Sequence, residues 1–358
     1  MFVLGIKMTG IIQYGVLGAG RIATRMVSHI RESGNSLVSA VAASSIERAA
    51  AFASELRVER HYGDYLSLLR NDSIDAVYIA LPNSMHFELC KQALEHGKHV
   101  LCEKPFVLES RQIDVLETLS KNNKLKIMEC FWYRFHPLVD MIADSIKKEL
   151  GTPLVFNSTF SFINAIETDM RWNPALGGGA LMDLMCYHID AVNYLFTSEL
   201  SQLTYLEAFS RQRNGVDANI SVEALFSEKF LISVSSSIDR ESINRTTIVG
   251  TESSLLIPNL RISPDVQEAC FYLIKSGKIQ KICSERVNAY ARMVEAFSNS
   301  IIKDTPTPVT ISESKKNLIL LETIKDSLRL EMADRVALYP KAKLKLKTIL
   351  SAIKKKMG

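Results

Sequence analysis

The most constraining feature of this chain is an alternation, between residues 11 and 148, of short β-branched runs with longer amphipathic segments. This alternation is typical of successive strand–helix units, whose strands pair in parallel. The pattern predicts strands at 12–17, 37–42, 76–81, 99–102 and 126–130, and helices at 22–33, 46–56, 84–96 and 109–122. We therefore predict a doubly wound α/β domain over residues 11–130.

A different pattern begins after Gly151-Thr152-Pro153. Long runs of alternating polar and apolar residues predict antiparallel strands. They lie at 154–163, 203–211, 220–226, 230–237 and 246–250, with helices near 179–196, 287–303 and 312–330. We predict a second, α+β domain over 131–335, built on an open, mostly antiparallel sheet that helices cover on one face. Residues 336–358 are predicted to be a separate basic tail.

Composition limits the class of protein. Of the 358 residues, 47% are hydrophobic and 23% are charged, which is ordinary globular usage with enough chain for two cores. No apolar run approaches the roughly eighteen residues of a spanning helix, and no signal sequence is evident, so we expect a cytoplasmic protein. The six cysteines contain no Cys-x-x-Cys pair, which predicts reduced, mostly buried thiols, no disulfide framework and no metal site.

The net charge of +4 comes from the C-terminal tail. Residues 341–358 hold seven lysines and no acidic residue, so the rest of the chain carries a charge of −3. An acidic body argues against nucleic-acid binding, which needs basic residues spread over a folded face. The tail could contact a membrane surface or an acidic partner, but its apolar stripe is weak, and a solvated terminus is the favoured interpretation.

A glycine-rich turn follows the first predicted strand and opens the first predicted helix. It reads Gly18-Ala19-Gly20-Arg21-Ile22-Ala23 and matches the Gly-x-Gly-x-x-Gly/Ala fingerprint in the context that this motif requires. Gly18 permits the tight turn, Gly20 lets a pyrophosphate approach the backbone, and Ala23 lets the helix pack against the strand. The helix N-terminus at Arg21 and Ile22 offers free N–H groups to anionic oxygens. We predict a Rossmann domain that binds a dinucleotide, although a purely structural turn is the alternative.

The residues after the second strand bear on which dinucleotide is bound. An NAD site usually has an acidic residue here, whereas this chain has Ala-Ala-Ser-Ser at 42–45. No carboxylate would repel a 2′-phosphate, and Ser44, Ser45, Arg48 and Arg21 can donate hydrogen bonds to it, so we predict NADP. NAD stays open, because Ser44 three residues before Glu47 is also an ordinary helix capping box.

A lysine lies just past the C-terminal end of a predicted parallel strand. The segment His99-Val100-Leu101-Cys102-Glu103-Lys104-Pro105 places Lys104 at the sheet edge where open α/β sheets bind ligands. Its ammonium could protonate a ketone oxygen, or in neutral form take a proton from an alcohol. Action as a base needs a pKa lowered by burial or by positive charge nearby. A solvated loop lysine is the alternative.

Helical geometry sorts the candidates between residues 177 and 190. At about 100° per residue, Tyr187 lies about 40° from Asp183 and His188 about 140° from it, so Asp183 and Tyr187 share a face that Asp190 extends. We predict Asp183 and Tyr187 as catalytic residues. His188 is the second choice, because its mostly apolar stripe favours a hydrogen-bonded core or interface histidine.

In order along the chain, these motifs resemble the glucose-fructose oxidoreductase, inositol dehydrogenase and MocA superfamily, written Gfo/Idh/MocA. The resemblance covers about residues 11 to 335 and implies a C-terminal sheet domain often used for dimers or tetramers, with lysine-assisted hydride transfer. It implies that the nicotinamide side of the site is formed by Leu81, Pro82, Asn83, His86 and Glu103. It also implies that Tyr187 orients or protonates the reacting oxygen, while Asp183 holds the substrate or Lys104. Many members have Gly where this chain has Met185, which affects helix packing and removes no functional group.

By the same resemblance, members of the family have either His or Tyr at position 187. With Tyr187, this chain resembles the branch that contains glucose-fructose oxidoreductase and the NADP-linked dihydrodiol and xylose dehydrogenases. Residues 131–137 resemble a segment that this branch carries beside the cleft, where aromatic rings could stack on a ligand or form a packed hinge. Arg171 could contact an anionic substrate group, but a solvated rim arginine is the favoured interpretation.

Three functions therefore stay open. The leading one is an NADP-dependent oxidoreductase acting on a sugar, sugar nucleotide or polyol. The others are a dihydrodiol-type dehydrogenase acting on a non-sugar ring, and a dinucleotide-sensing regulator on the same scaffold. The presence of Lys104, Asp183 and Tyr187 together favours catalysis, because a sensor needs no proton donor.

Overall fold

The first sheet is the parallel one that the sequence predicts. The structure is a computed structural model that describes residues 10–261 and 269–329. Its first six strands pair in parallel in the order β3-β2-β1-β4-β5-β6, the order of dinucleotide-binding domains. They are β1 (Ile12–Leu17), β2 (Ser36–Ala42), β3 (Arg60–Tyr62), β4 (Ala76–Ile79), β5 (His99–Cys102) and β6 (Ile127–Glu129).

Helices connect these strands: α1 (Arg21–Glu32), α2 (Ile46–Leu56), α3 (Tyr65–Leu69), α4 (His86–Glu95) and α5 (Ser110–Asn123). The central strands β4 and β5 are almost completely buried, because helices cover a parallel sheet on both faces. The sequence analysis missed β3 and α3. The three residues of β3, Arg-His-Tyr, are exposed or half-buried and lack the apolar run by which a strand is recognised.

The second sheet has eight strands in the order β14-β13-β12-β11-β7-β10-β9-β8. All neighbouring pairs are antiparallel except β7 and β10, which confirms the predicted mostly antiparallel sheet. The strands are β7 (Pro153–Ile163), β8 (Leu203–Arg213), β9 (Val216–Phe226), β10 (Phe230–Ser237), β11 (Asp239–Gly250), β12 (Ser254–Ile257), β13 (Ala269–Lys275) and β14 (Lys278–Ser284). The sequence analysis missed the last three.

The cysteine prediction was wrong for one pair. Cys270 on β13 lies opposite Cys283 on β14, and the two form a disulfide. Sequence spacing alone does not show that two strands pair in this register, which is what brings the thiols within reach. The other cysteines are free and buried, as predicted: Cys90, Cys102, Cys130 and Cys186.

Four more helices follow the sixth parallel strand in sequence. They are α6 (Pro137–Glu149), α7 (Cys186–Leu195), α8 (Ala289–Ile302) and α9 (Ile311–Arg329). The predicted helix at 179–196 is in fact a π-helical turn, Leu181–Met185, that continues into α7.

Helix α8 follows the second sheet in sequence but packs on the first. The Tyr14 hydroxyl lies 3.0 Å from that of Ser298, and the Asn35 amide donates to the Glu295 carbonyl at 3.0 Å. The domain boundaries at 11–130, 131–335 and 336–358 therefore stay predictions, and the basic tail lies outside the described residues. Among the helices that the structure describes, none is long and apolar enough to cross a membrane.

Candidate active site

The glycine loop between the end of β1 and the start of α1 has room for an anion. Gly18 has φ +119°, and a Cβ there would lie 2.4 Å from the Ala80 carbonyl oxygen, so only glycine fits. A Cβ on Gly20 would meet no described atom within 4 Å. Helix α1 begins there with no capping side chain and no acidic residue in its first turn. Buried Ala23 lets α1 lie close to the sheet. This open helix N-terminus fits a pyrophosphate.

The end of β2 lies beside that loop, because the Gly18 N–H donates to the Ala42 carbonyl at 2.9 Å. Ser45, whose side chain accepts from the Arg48 N–H, caps α2, so the capping box that was the alternative role of Ser44 is not formed by Ser44. Ser44 instead accepts a hydrogen bond from Arg48 Nη1 at 2.9 Å, and both residues are exposed. A serine and a guanidinium free of helix capping fit a 2′-phosphate.

Arg21, predicted to bind the cofactor, contacts a residue from the other half of the chain. Its guanidinium lies 3.3 Å from the Asp169 carboxylate, and 77% of its side chain stays exposed. A pair with this exposure is weak, so Arg21 remains available to an anion at the helix N-terminus.

The loop after β4 is held from both sides. The Asn83 amide donates to the Gly177 carbonyl at 2.8 Å, which links the two halves of the protein. His86 is fully buried, and its ring nitrogens lie 2.9 Å from the carbonyl oxygens of Leu81 and Pro105. The predicted direct contact of His86 with a cofactor is therefore not supported. His86 instead fixes the Leu81-Pro82 turn against the Lys104-Pro105 segment.

Lys104 and Asp183 form the centre of the site. Lys104 Nζ donates to Asp183 Oδ1 at 2.8 Å and to the Asp183 backbone carbonyl at 2.7 Å. The other carboxylate oxygen, Oδ2, accepts from Arg171 Nε at 2.6 Å. About 11% of the Lys104 side chain and 10% of the Asp183 side chain are exposed, so both groups are largely shielded from solvent. The predicted solvated arginine at 171 was wrong, because Arg171 completes this cluster.

The cluster fixes the charge state of its members. Burial works to lower the pKa of Lys104, yet the combined effects of Asp183 leave it above the ordinary value. Burial works to raise the pKa of Asp183, yet Lys104 and Arg171 together hold it well below its usual range. Lys104 is therefore an ammonium at neutral pH. Among the described residues, two of its three protons are donated to Asp183 and one is free.

Glu103 supports this lysine from the Rossmann side. It accepts from the Tyr78 hydroxyl at 2.6 Å and from the Lys104 backbone N–H at 3.2 Å. Burial raises the pKa of Glu103. The carboxyl group is thus tied to the scaffold and sets the backbone direction at Lys104.

Tyr187 lies next to Lys104, whose Nζ is 5.0 Å from the centre of the tyrosine ring. The Trp132 indole N–H donates to the Tyr187 hydroxyl at 3.2 Å. Indole nitrogen can only donate, so the phenol oxygen accepts this bond and its own hydrogen stays free to point at a ligand. Burial raises the pKa of Tyr187 well above its usual value, which keeps the phenol protonated.

The two candidate faces of this helix separate as predicted. Asp183 and Tyr187 both contact Lys104, whereas His188 is fully buried away from it. His188 is a core histidine, as its apolar stripe indicates, next to the Ser235 backbone, and its second-choice catalytic role is not supported. Asp190, expected on the polar stripe, is buried in a pair with Arg134 and has a structural role.

Sequence reasoning missed or underweighted three side chains. Arg171 precedes Asp183 by 12 residues, and no periodicity connects them. Trp132 is 7% exposed and stacks on Tyr290 with ring centres 4.6 Å apart, which supports the packed-hinge interpretation of 131–137. Asp217 on β9 accepts from the Leu181 N–H at the start of the π-turn.

The fold and these residues define a dinucleotide-binding oxidoreductase with a lysine-centred site where the two sheets meet. The model of the "Oxidoreductase family, NAD-binding Rossmann fold" matches residues 12–131, and that of the "GFO/IDH/MocA C-terminal domain" matches 141–256. The chain belongs to the Gfo/Idh/MocA oxidoreductase family.

Relatives of known name are similar over most of the chain. D-xylose 1-dehydrogenase (NADP(+)) 2 of Haloferax volcanii is 30% identical over 88% of this chain and 97% of its own length. Trans-1,2-dihydrobenzene-1,2-diol dehydrogenase of Xenopus laevis is 31% identical over 70% of this chain and 77% of its own. The 3-ketoreductase KijD10 of Actinomadura kijaniata, solved with NADP and TDP-benzene, has a TM-score of 0.83 and 23% identity, covering 88% of this chain and 98% of its own.

Proposed function

We propose that this protein is an NADP-preferring oxidoreductase that transfers a hydride between nicotinamide and a hydroxyl or ketone of a sugar, sugar nucleotide or polyol, with Lys104 as general acid and base. The observation that carries the proposal is the buried contact of Lys104 with Asp183. Relatives named as a xylose dehydrogenase and a dTDP-sugar 3-reductase support the substrate class.

The residues of this chain handle the proton and the position of the substrate. The nicotinamide supplies or accepts the hydride when it is bound. In the direction of reduction, the free proton of Lys104 passes to the ketone oxygen as negative charge develops there. Tyr187 donates its free hydroxyl hydrogen to the same oxygen and orients it. Asp183, itself held by Arg171, keeps the ammonium in place, and the raised pKa of Lys104 keeps this lysine in the protonated form that reduction requires.

Oxidation of an alcohol requires Lys104 to be neutral first. A positive charge close to the ammonium lowers its pKa, and an oxidised nicotinamide carries such a charge. The same lysine can therefore serve both directions, with its protonation following the state of the cofactor.

NADP preference rests on the end of β2. Ser44 and Arg48 lie together in solvent, and no carboxylate occupies positions 42–45. The name of the xylose dehydrogenase relative points to the same cofactor.

A dihydrodiol-type dehydrogenase is the second candidate, favoured by the 31% identity to the Xenopus laevis enzyme. The chemistry of Lys104 and Tyr187 would be unchanged, and only the ring that carries the hydroxyl would differ. A dinucleotide sensor is disfavoured, because it needs no buried lysine–aspartate pair.

We also propose that the protein is a homo-oligomer, a dimer or a tetramer. Apolar side chains are exposed on the second sheet: Ile163 is 60%, Phe209 52% and Ile279 69% exposed. Scattered exposed apolar side chains are ordinary on a protein surface, so the proposal rests mainly on the use of this sheet domain for dimers and tetramers that the family resemblance implies. Light scattering should give a mass above that of the 40.1 kDa chain, and a monomeric mass would contradict the proposal.

The test of function is a titration with NADPH and NADH, followed by turnover on sugars, ketosugars and a trans-dihydrodiol. We expect tighter binding of NADPH and turnover on carbohydrate. Turnover on the dihydrodiol alone would favour the second candidate. Tight dinucleotide binding with no turnover on any of these substrates would contradict the enzymatic proposal.

A further inference from the structure

Arg261 is a buried cation without a buried anion. It follows β12, is 5% exposed, and donates from Nη2 to the Asn244 side chain at 2.8 Å. Its Nε and Nη1 have no hydrogen-bond partner, and no carboxylate pairs with it in the described parts of the chain. A buried charge left in this state is strongly destabilising and is rarely kept without a purpose.

Arg134 shows how this protein treats a buried arginine that has a structural role. Its side chain is 4% exposed, and it pairs with the Asp190 carboxylate and with Glu313. Arg261 is buried to a similar extent but has no carboxylate of this kind beside it in the described parts of the chain. This lack of a carboxylate partner among the described residues leaves its charge available to an anion.

Arg261 lies next to the reaction centre. Its guanidinium carbon is 4.1 Å from the ring centre of half-buried Phe160 and 5.8 Å from that of Tyr187. Lys104 Nζ is 5.0 Å from the same Tyr187 centre. The charged groups of Lys104 and Arg261 thus both lie within 5.8 Å of the centre of the Tyr187 ring. The aromatic faces partly stabilise the guanidinium but leave the N–H groups on Nε and Nη1 unbonded.

The surrounding charges do not supply the missing anion. Lys104 and Arg171 are matched by Asp183 and Asp169. Burial lowers the pKa of Arg261 to about 10, so the guanidinium still carries its charge at neutral pH. Within residues 10–261 and 269–329, Arg261 is thus a cation next to Tyr187 that no carboxylate neutralises.

We propose that Arg261 is the anchor of a substrate subsite that binds an oxyanion, so that the substrate is a carbohydrate bearing a carboxylate or a phosphate ester. The inference rests on the proposed function, because it places the subsite beside the hydride-transfer site. It narrows the substrate class from sugars in general to acidic ones. Carboxylate and phosphate share the oxyanion that a guanidinium recognises, and the experiment separates them.

The test compares matched sugars: D-glucose, D-glucuronate and D-glucose 6-phosphate, each with NADP+. We expect kcat/KM for one of the two anionic sugars to exceed that for glucose by about 100-fold, which is the value of a charge-assisted hydrogen-bond pair. In Arg261→Gln this ratio should fall close to one. Arg245→Gln, which removes an exposed arginine on the neighbouring strand β11, should keep the ratio of the wild type.

Preference for glucuronate identifies a carboxylate subsite, and preference for the phosphate identifies a phosphate subsite. Equal or better turnover of glucose would overturn the proposal, as would equal losses on neutral and anionic sugars in Arg261→Gln.

A binding measurement keeps this inference separate from the proposed function. Glucuronate or inorganic phosphate should raise the thermal midpoint of the wild type and leave that of Arg261→Met unchanged. Without ligand, Arg261→Met should be at least as stable as the wild type, because it removes an unpaired buried charge. A lower midpoint in this variant, or no anion effect on the wild type, would contradict the subsite. Failure of the wild type to bind NADPH would instead contradict the proposed function.

Discussion

Lys104 and Asp183 meet across the two halves of the protein through two hydrogen bonds, 2.8 Å to the carboxylate and 2.7 Å to the backbone carbonyl. Lys104 lies two residues past the end of β5 in the parallel sheet, and Asp183 lies in the π-turn packed on the second sheet. The contact therefore assembles the site only when both halves are in place.

Replacing Asp183 by Asn should remove the negative charge that compensates Lys104 and leave a buried amine with no counter-charge. Breaking a buried pair in this way costs on the order of 3–5 kcal/mol. Chemical denaturation near pH 7 should show this loss, and kcat should fall with it. An unchanged midpoint in denaturant would contradict the importance of the pair.

The same pair predicts where stability depends on pH. The folded pKa of Asp183 is lowered, so its contribution is present above the unfolded value of about 3.9 and is lost as pH falls through the folded pKa. The folded pKa of Lys104 is raised, so its contribution is lost as pH rises through that pKa, above about 10.4. Unfolding measured from pH 2 to 11 should show a difference between the wild type and Asp183→Asn that is largest between these limits. A pH-independent difference would contradict this assignment.

Trp132→Phe should keep the ring stack on Tyr290 but remove the N–H that holds the Tyr187 hydroxyl. We expect kcat to fall by roughly 10-fold, the value of one hydrogen bond, with little change in NADPH affinity. The kcat of Tyr187→Phe should fall further. In the Tyr187→Phe background, Trp132→Phe should have no additional effect, and additive losses would show that Trp132 acts by another route.

Arg48→Ala should weaken NADPH binding by about 10- to 100-fold and leave NADH affinity nearly unchanged, because only NADPH carries the 2′-phosphate. Fluorescence titration of both cofactors measures this directly. Arg25→Ala, which removes an exposed arginine of α1, is the matched control. Equal losses for the two cofactors in Arg48→Ala would contradict the 2′-phosphate site.

Asp217 should give the protein a second, acidic pH dependence. Burial raises the pKa of Asp217 to about 6 although it accepts a hydrogen bond from the Leu181 N–H. A raised carboxyl pKa stabilises the fold below the unfolded value of about 3.9 and loses that contribution as pH rises through about 6. The free energy of unfolding, relative to Asp217→Asn, should therefore fall by about 1–2 kcal/mol across this interval. Parallel curves for the two proteins would contradict the assignment.

Much of the fold followed from local pattern. The glycine loop, the lysine at the end of β5 and the shared face of Asp183 and Tyr187 each depend on residues close in sequence. Arg171, Trp132 and Arg261 reach the site from separate segments, and their roles depend on tertiary contacts that no spacing encodes. Ser45 instead of Ser44 caps α2, which is a one-residue shift within the ordinary uncertainty of helix starts. The cytoplasmic location stays a prediction.

The most direct test of the central claim is hydride transfer in a single turnover by Lys104→Ala, with NADPH bound and a ketosugar as substrate. We predict that the rate falls by about 10²- to 10⁴-fold, the contribution of a positioned general acid, while NADPH affinity stays within about three-fold of the wild type. A rate close to that of the wild type with the cofactor bound normally would contradict the assignment of Lys104 as the proton donor.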